Sequence, residues 1–393
     1  MTEARDVLLV GGGGLQAQAL MIAAARAADL SSWAAVDRAW QPDRRAAAVE
    51  LGLAIETCDM LEEPRRLREL VGSSRLVVNC AGPFYRTGGA ALDACIETGV
   101  DYLDICDDAD ATLDLLGRDE AARGAGVRAL IGMGSSPGVT NVLVRAAADA
   151  LGGADEVEIS WVVDVGDVSN AAIQHFWHIF ALVDEHGERQ PVAAWERLST
   201  REVEFPDPVG SSTLLELSHP EPITLPRFLG VKSVRNFGGI VPEDTLFVNW
   251  ALARSGADGS GSGEVGGVTY PIPELATALH RAYMELREPT PYLGGGLVVE
   301  VRRGEEGFRF ASADSISMEE STGTPAAAGA LLMLAGEGPE PGVRAPECLD
   351  PAAFFPALGR VSRSTGSLAL HRLQGGRPTE RLRIRELFAG SAA

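Results

Sequence analysis

A chain of 393 residues is long enough for two domains, each burying its own core. With 46% hydrophobic and 23% charged residues the composition is that of a globular protein, and the net charge of -21 argues against a nucleic-acid backbone or an anionic membrane surface as partner. Arginine carries nearly all the basic charge, Lys232 being the one lysine. Cys58, Cys80, Cys95, Cys106 and Cys348 are odd in number and scattered through apolar patterns without metal-ligand spacing, so free thiols in a reducing compartment and no bound metal are expected. The first apolar run is too short for a signal peptide, and no run approaches the length of a membrane span. A cytoplasmic protein acting on a small molecule is the expectation, with a homodimer as its assembly.

In chain order, Val7 to Val10 reads as a buried parallel strand. Four glycines follow (Gly11 to Gly14), and Leu15 to Ala28 reads as a helix. Strand, glycine turn and helix form the phosphate cradle of a dinucleotide fold, where backbone N–H groups and the helix start face a pyrophosphate. Two registers fit, Gly11-x-Gly13-x-x-Gln16 and Gly12-x-Gly14-x-x-Ala17. The second is preferred, because it puts a small residue where helix and strand must pack closely. Ser32 to Arg38 reads as the next strand, with Asp37 roughly twenty residues past the glycines. Its carboxylate suits the ribose hydroxyls of NAD, whereas Arg38 suits the 2'-phosphate of NADP. The pair leans to NAD.

Arg44–Leu51 reads as a helix and Leu53–Asp59 as a third strand ending in an acid. Glu63–Leu70 is a helix, and Leu76–Phe84 a strand broken at Gly82-Pro83. Helix Gly88–Thr98, strand Tyr102–Ile105, helix Ala109–Arg123 and strand Val127–Ile131 complete a strict alternation. That alternation implies a Rossmann, doubly wound parallel sheet. Gly132 to Asn141 closes the region and opens a helix from Thr140 to Leu151, whose early proline and glycine leave amides for an anion or serve as a plain cap.

After Gly152 the rhythm changes. Strands are expected at Val157–Val165, Glu202–Phe205, Thr213–Leu217 and Val231–Phe237, a flexible loop at Arg254–Gly267 and a helix at Pro273–Arg287. Leu297–Arg302 and Gly307–Ala313 read as a hairpin, and Thr324–Ala335 as a buried helix. The expected organisation is a Rossmann domain over residues 1–151 and an α+β domain with a mainly antiparallel sheet over 152–322, with C-terminal helices in 323–393 packing back on the first domain. His175 and His178, three apart in an aromatic-rich segment, share a face if helical. They read either as an active-site wall or as satisfied core histidines, and Trp177 between them reads as core.

The glycine turn 12–17, the strand end Asn79-Cys80-Ala81-Gly82-Pro83-Phe84, and Gly99-Val100-Asp101-Tyr102-Leu103-Asp104 together resemble the saccharopine dehydrogenase-like family. So do Gly134-Ser-Ser-Pro-Gly-Val-Thr-Asn141, Ser321-Thr-Gly-Thr-Pro325 and Pro341-Gly-Val-Arg-Ala-Pro-Glu347. The resemblance spans residues 7 to about 350 and implies NAD(P)-dependent hydride transfer at a carbon–nitrogen bond of an amino-acid-derived substrate. Carbon–carbon double-bond reduction on the same fold and a non-catalytic cofactor-binding homologue are the alternatives.

The resemblance also implies a cofactor held by Gly12, Gly14, Leu15, Gln16, Asp37, Arg38 and Asp59. Its nicotinamide would lie beside Cys80, Ala81, Gly82 and Pro83. Asp104 and the acid cluster Asp107, Asp108 and Asp110 read either as groups that attract a cationic amino substrate or, for most of them, as solvated or capping acids, with Asp104 the best exception. Lys232 matches a Lys-x-x-Arg segment of lysine 6-dehydrogenase-like proteins and, with Asp104 and His175, is expected to be catalytic; Arg235 would clamp a carboxylate. Ser136, Pro137, Gly138 and Asn141 would bind substrate, although Ser136 stands where several relatives carry Asp.

Overall fold

Apolar runs without a polar break must be buried on both faces, which strands achieve in the middle of a helix-covered parallel sheet. The computed structural model, which describes residues 5–164, 170–180, 199–257, 261–288, 291–363 and 368–388, builds such a sheet from the first third of the chain. Its strands β1 (Arg5–Val10), β2 (Trp33–Asp37), β3 (Ala54–Thr57), β4 (Ser74–Asn79), β5 (Asp101–Asp104) and β6 (Arg128–Leu130) alternate with helices. These are α1 (Leu15–Ala24), α2 (Pro42–Glu50), α3 (Pro64–Val71), α4 (Phe84–Thr98), α5 (Ala109–Leu116) and α6 (Asp119–Ala125). All neighbours are parallel, in the order β6-β5-β4-β1-β2-β3, the doubly wound arrangement. Leu8, Leu9, Val77, Val78 and Leu103 are fully buried at its centre. The order reverses between β1 and β4, and a crevice opens there at the strands' C-terminal ends.

Helix α7 (Val139–Leu151) leads into a second, eight-stranded sheet. It comprises β7 (Glu156–Asp164), β8 (Thr200–Glu204), β9 (Ser211–Glu216), β10 (Ser233–Val241), β13 (Gly295–Arg303) and β14 (Glu306–Asp314), extended by β16 (Ala369–Gln374) and β17 (Arg377–Leu382). Only β7 and β10 run parallel; the other pairs are antiparallel. Leu143, Val144 and Ala147 of α7 enter the core under this sheet beside Ile159, Val299 and Phe310. The remaining helices in the middle of the chain are α8 (Asn170–Ile179), α9 (Glu221–Leu229), α10 (Glu243–Arg254) and α11 (Ile272–Leu286).

The C-terminal segment divides between the two sheets. Helix α12 (Met318–Leu334) lies on α1 and crosses β4 and β5, α13 (Pro351–Val361) packs on α12, and β15 (Gly342–Arg344) adds a seventh parallel strand beside β6. The expectation that the C-terminal helices of 323–393 pack back on the first domain is corrected for the tail: β16 and β17 pair onto β14 in the second sheet, and the short α14 (Ile384–Phe388) packs against α7. Three-residue β15 is too short to show a period. Prolines at 220, 222 and 226 break the apolar rhythm that would reveal α9. Within the expected loop 254–267, Ser262–Val265 forms a hairpin (β11) with β12 (Val268–Pro271), while residues 258–260, like Val165 of the expected strand, lie outside the described residues.

Candidate active site

The glycine turn follows from what surrounds it. Gly11 has φ +76°, and a Cβ there would lie 2.6 Å from the Ala81 backbone nitrogen, so the turn leaves β1 against the end of β4 with no room for a side chain. This glycine belongs to the register not preferred from sequence. Gly12 packs against Ala35 and does not face the crevice. Ala17 is fully buried, as a small residue at that position should be. Gly13 N–H donates to Asp37 Oδ2 at 2.9 Å, and Gly14 begins α1 without a side-chain cap. The first-turn amides of α1 thus have no intrahelical or capping partner, and no acid sits in that turn. Such a start fits a diphosphate.

A cavity of about 920 Å³ opens from this turn. Gly11, Gly14, Leu15 and Gln16 line its near end, followed by Asp37, Arg38, Arg44 and Asp59, and then by Cys80 to Phe84. Asp37 also accepts the Ala39 N–H at 3.2 Å, and Arg44 donates to the Gly13 carbonyl at 2.8 Å. Burial pushes the Cys80 thiol far up, so it stays neutral. The far end is built from both lobes. Ile105, Asp107, Ser135 and Ser136 come from the first, and Trp161, Val162, His175, Phe176 and His219 from the second.

Helix α8 brings His175 and His178 to the acids after β5. His175 Nε2 lies 2.9 Å from Asp107 Oδ2, and its Nδ1 3.2 Å from Asp108 Oδ1. Burial opposes the charge on His175, but the two carboxylates outweigh it and raise the imidazole well above its ordinary range. Asp107, although burial works against it, is held low by the same imidazole. His178 meets Asp110 at 3.1 Å and stacks on Tyr85 with centroids 4.4 Å apart. Sequence spacing pointed to no metal, yet the fold gathers Asp107, Asp108 and His175 with donor atoms within 4.8 Å. Each carboxylate faces a different ring nitrogen, whereas a shared metal ion would need both to converge on one. The arrangement is that of an imidazolium between two acids.

Several expected site residues do other work. Asp104 is fully buried and not among the cavity-lining residues; it accepts the Gly132 and Cys106 N–H groups and the Tyr102 hydroxyl. Burial outweighs those bonds and raises its carboxyl to about 6. The expectation of catalysis by Asp104 is corrected to a clamp on the adjacent loops. Lys232 is likewise corrected: its side chain is 77% exposed and pairs with Asp155 at 2.8 Å, away from the cleft. Arg235 forms an exposed pair with Glu216 at 2.9 Å and lines no part of the cavity.

Of the 136–141 segment only Ser136 and Val139 face the cleft. Gly138 leaves no space for a Cβ against the Gly134 carbonyl, and Asn141 is buried, accepting the Gly138 N–H and donating to Glu347 at 2.8 Å. Pro137, Gly138 and Asn141 therefore shape the loop instead of meeting a ligand. The acid at the start of α7 is the chain's own Glu221, which accepts from Ser136 Oγ at 2.6 Å and Thr140 Oγ1 at 3.0 Å. Trp177 is core, fully buried and bonded to Asn249.

Sequence reading missed His219, Glu221, Trp161 and Arg44. The sole local hint was Ser218-His219-Pro220-Glu221, a histidine two residues before an acid at a helix start.

Residues 7–130 match the family model of the saccharopine dehydrogenase NADP binding domain. A probable mitochondrial saccharopine dehydrogenase-like oxidoreductase of Arabidopsis thaliana is 43% identical over 53 residues, which is 14% of this chain and 12% of that protein. A saccharopine dehydrogenase-like oxidoreductase of Mus musculus is 40% identical over 57 residues, 14% of this chain and 13% of that protein. The aligned stretch thus covers only a small part of either relative. Among solved structures, apo saccharopine dehydrogenase (L-Glu forming) of Saccharomyces cerevisiae superposes with a TM-score of 0.61 at 13% identity, covering 94% of this chain and 100% of that one. The homospermidine synthase of Legionella pneumophila in complex with NAD gives 0.56 at 12% identity, covering 94% and 92%. At such identities the two likenesses speak for the fold. Among the described residues no helix is long and apolar enough to cross a membrane.

Proposed function

We propose that the protein, whose residues 7–130 match the saccharopine dehydrogenase NADP binding domain, is an NAD(P)-dependent oxidoreductase moving hydride at a carbon–nitrogen bond of an amino-acid-derived substrate. The observation that carries this is the single cavity running from the glycine turn to Asp107, His175 and His219. On this reading residues 1–151 hold the cofactor, while the second sheet and α8 close over the substrate. The nicotinamide would supply the hydride acceptor or donor.

The protein's part is binding, orientation and exclusion of water. Gly11, Gly14 and the start of α1 receive the diphosphate. Asp107, held charged by His175, attracts a protonated amine. Trp161, Val162 and Phe176 form a dry wall in which an imine escapes hydrolysis. For the adenosine end, Arg38 and Arg44 line the cavity with Asp37 and Asp59, and the Asp37 oxygens already accept two N–H groups. With both Asp37 oxygens engaged, the two guanidinium groups would suit a 2'-phosphate, so NADP is the proposed cofactor, against the lean to NAD read from the Asp37–Arg38 pair.

The test is oxidation of NADPH or NADH against a panel of 2-oxo acids combined with primary amines and amino acids, alongside direct cofactor titration. Imine-dependent oxidation is expected; failure of both cofactors to bind at millimolar concentration overturns the proposal. A second reading, reduction of a carbon–carbon double bond, draws on the apolar wall of Phe355, Leu358, Leu368 and Ile384. Turnover of 2-enoyl thioesters without turnover of imines would select it.

A further inference from the structure

We propose that His219, oriented by Glu221, exchanges the proton with the ligand in the cleft. The inference rests on the oxidoreductase reading above and adds to it a group that the family resemblance did not supply. His219 faces the cavity while being 2% exposed, and its Nδ1 lies 2.6 Å from Glu221 Oε2. The amide nitrogen of Asn236 is farther from the same atom, at 3.4 Å, and the Asn236 oxygen is taken by the Trp161 indole at 2.9 Å. The carboxylate therefore fixes Nδ1 as the protonated nitrogen and leaves Nε2 as the atom offered to a ligand. Glu221 is fully buried, and its other oxygen accepts the Ser136 and Thr140 hydroxyls, so both oxygens are engaged.

The link crosses the molecule. Ser136 and Thr140 belong to the loop and helix that leave the first sheet, and Glu221 starts α9 beside the second. The position of His219 thus depends on both walls of the cleft. The titratable groups around it are Glu221, Asp107 with His175 behind it, and Glu347 beyond Glu221.

The step balances. The substrate reacts as the neutral amine, its ammonium proton having been released to solvent; hydride would pass from its carbon to the oxidised cofactor, leaving an iminium. Its N–H proton passes to Nε2, giving a neutral imine and an imidazolium. In the reverse direction the imidazolium protonates the imine nitrogen before hydride arrives, and Glu221, a positioning residue, stabilises the charge.

The experiment measures kcat, KM and their pH profiles for the imine that wild type reduces. His219→Gln is expected to lower kcat by about a hundredfold or more while cofactor affinity stays unchanged, and added imidazole should restore turnover to His219→Ala. Glu221→Gln should lower kcat less and displace the limb assigned to His219, with Glu221→Asp recovering part of the rate. His219→Ala working within about twofold of wild type overturns the inference, whatever the melting temperatures.

If wild type turns over nothing, the oxidoreductase reading falls and NMR of isotope-labelled histidine decides separately. An Nδ1–H tautomer that Glu221→Gln abolishes, with His219 signals moved by saturating NADPH, supports it. An Nε2–H tautomer, or signals indifferent to NADPH, overturns it.

Discussion

Lys232 and Glu347 show how far a residue's type is from its role. The chain's one lysine lies 77% exposed against Asp155, so Lys232→Ala is expected to leave turnover and melting temperature unchanged. A loss of kcat beyond about tenfold would restore it to the site. Glu347 has no such exposure. Burial raises its carboxyl from 4.5 to about 7, and neighbouring Glu221, bonded to His219, takes the charge instead. A raised carboxyl binds its proton more tightly in the folded state, so stability is greatest below the unfolded value and falls as pH rises through about 7. The shift corresponds to roughly 3 kcal/mol. Glu347→Gln should flatten the decline of melting temperature between about pH 4.5 and about 7 relative to wild type, and an unchanged slope refutes the assignment. Sequence could single out His175, as a wall of a site or a satisfied core histidine, because aromatic neighbours and a second histidine one turn on marked the face; it lines the cavity. The local pattern could not reveal Glu221, whose hydroxyl partners Ser136 and Thr140 lie more than eighty residues away, or His219, which only the fold brings to the cleft.

The strand–turn–helix at the start of the chain was legible because its determinants are local: an apolar run, a glycine and an alanine-rich helix. What holds that helix in place was not. Gly323 of α12 meets α1 so closely that a Cβ would lie 2.6 Å from Leu20 N and 2.7 Å from the Gln16 carbonyl oxygen. Backbone cannot yield as a side chain does, so Gly323→Ala should cost about 1–3 kcal/mol. Because Gln16 lines the cofactor end, the same variant should weaken NADPH binding severalfold. Denaturant titration and cofactor titration check the two effects, and wild-type values in both would deny the crossing its importance. Helix α8 makes a comparable case. His175→Ala leaves Asp107 and buried Asp108 facing each other without their cation, an imbalance expected to cost about 3–5 kcal/mol. Its stability should recover in part at acid pH, where Asp107 is neutralised.

At the scale of the whole molecule, the alternation of strands and helices up to Ile131 forecast the first sheet, since a parallel sheet needs a crossover after every strand. The second sheet followed only in outline. Its members are drawn from residues 156 to 382, and pairings such as β7 with β10 or β14 with β16 join segments that no local period connects. The first sheet is not self-sufficient either. Its seventh strand spans residues 342–344, and α12 covers one face, with Ala326, Ala327 and Ala330 fully buried in the same core as Leu8 and Val77. A fragment ending at Leu151 lacks both and is expected to show no cooperative thermal transition; a sharp one would contradict this dependence.

The late arrival of β15 bears on how the polypeptide matures as it is made. While the ribosome is still reading codons for the middle of the chain, the nucleotide cradle is present in outline but lacks the strand and helix that brace it. Neither half can be finished first: the first sheet waits for residues 342–344 and the second for residues 369–382, so the two lobes reach their mature form together.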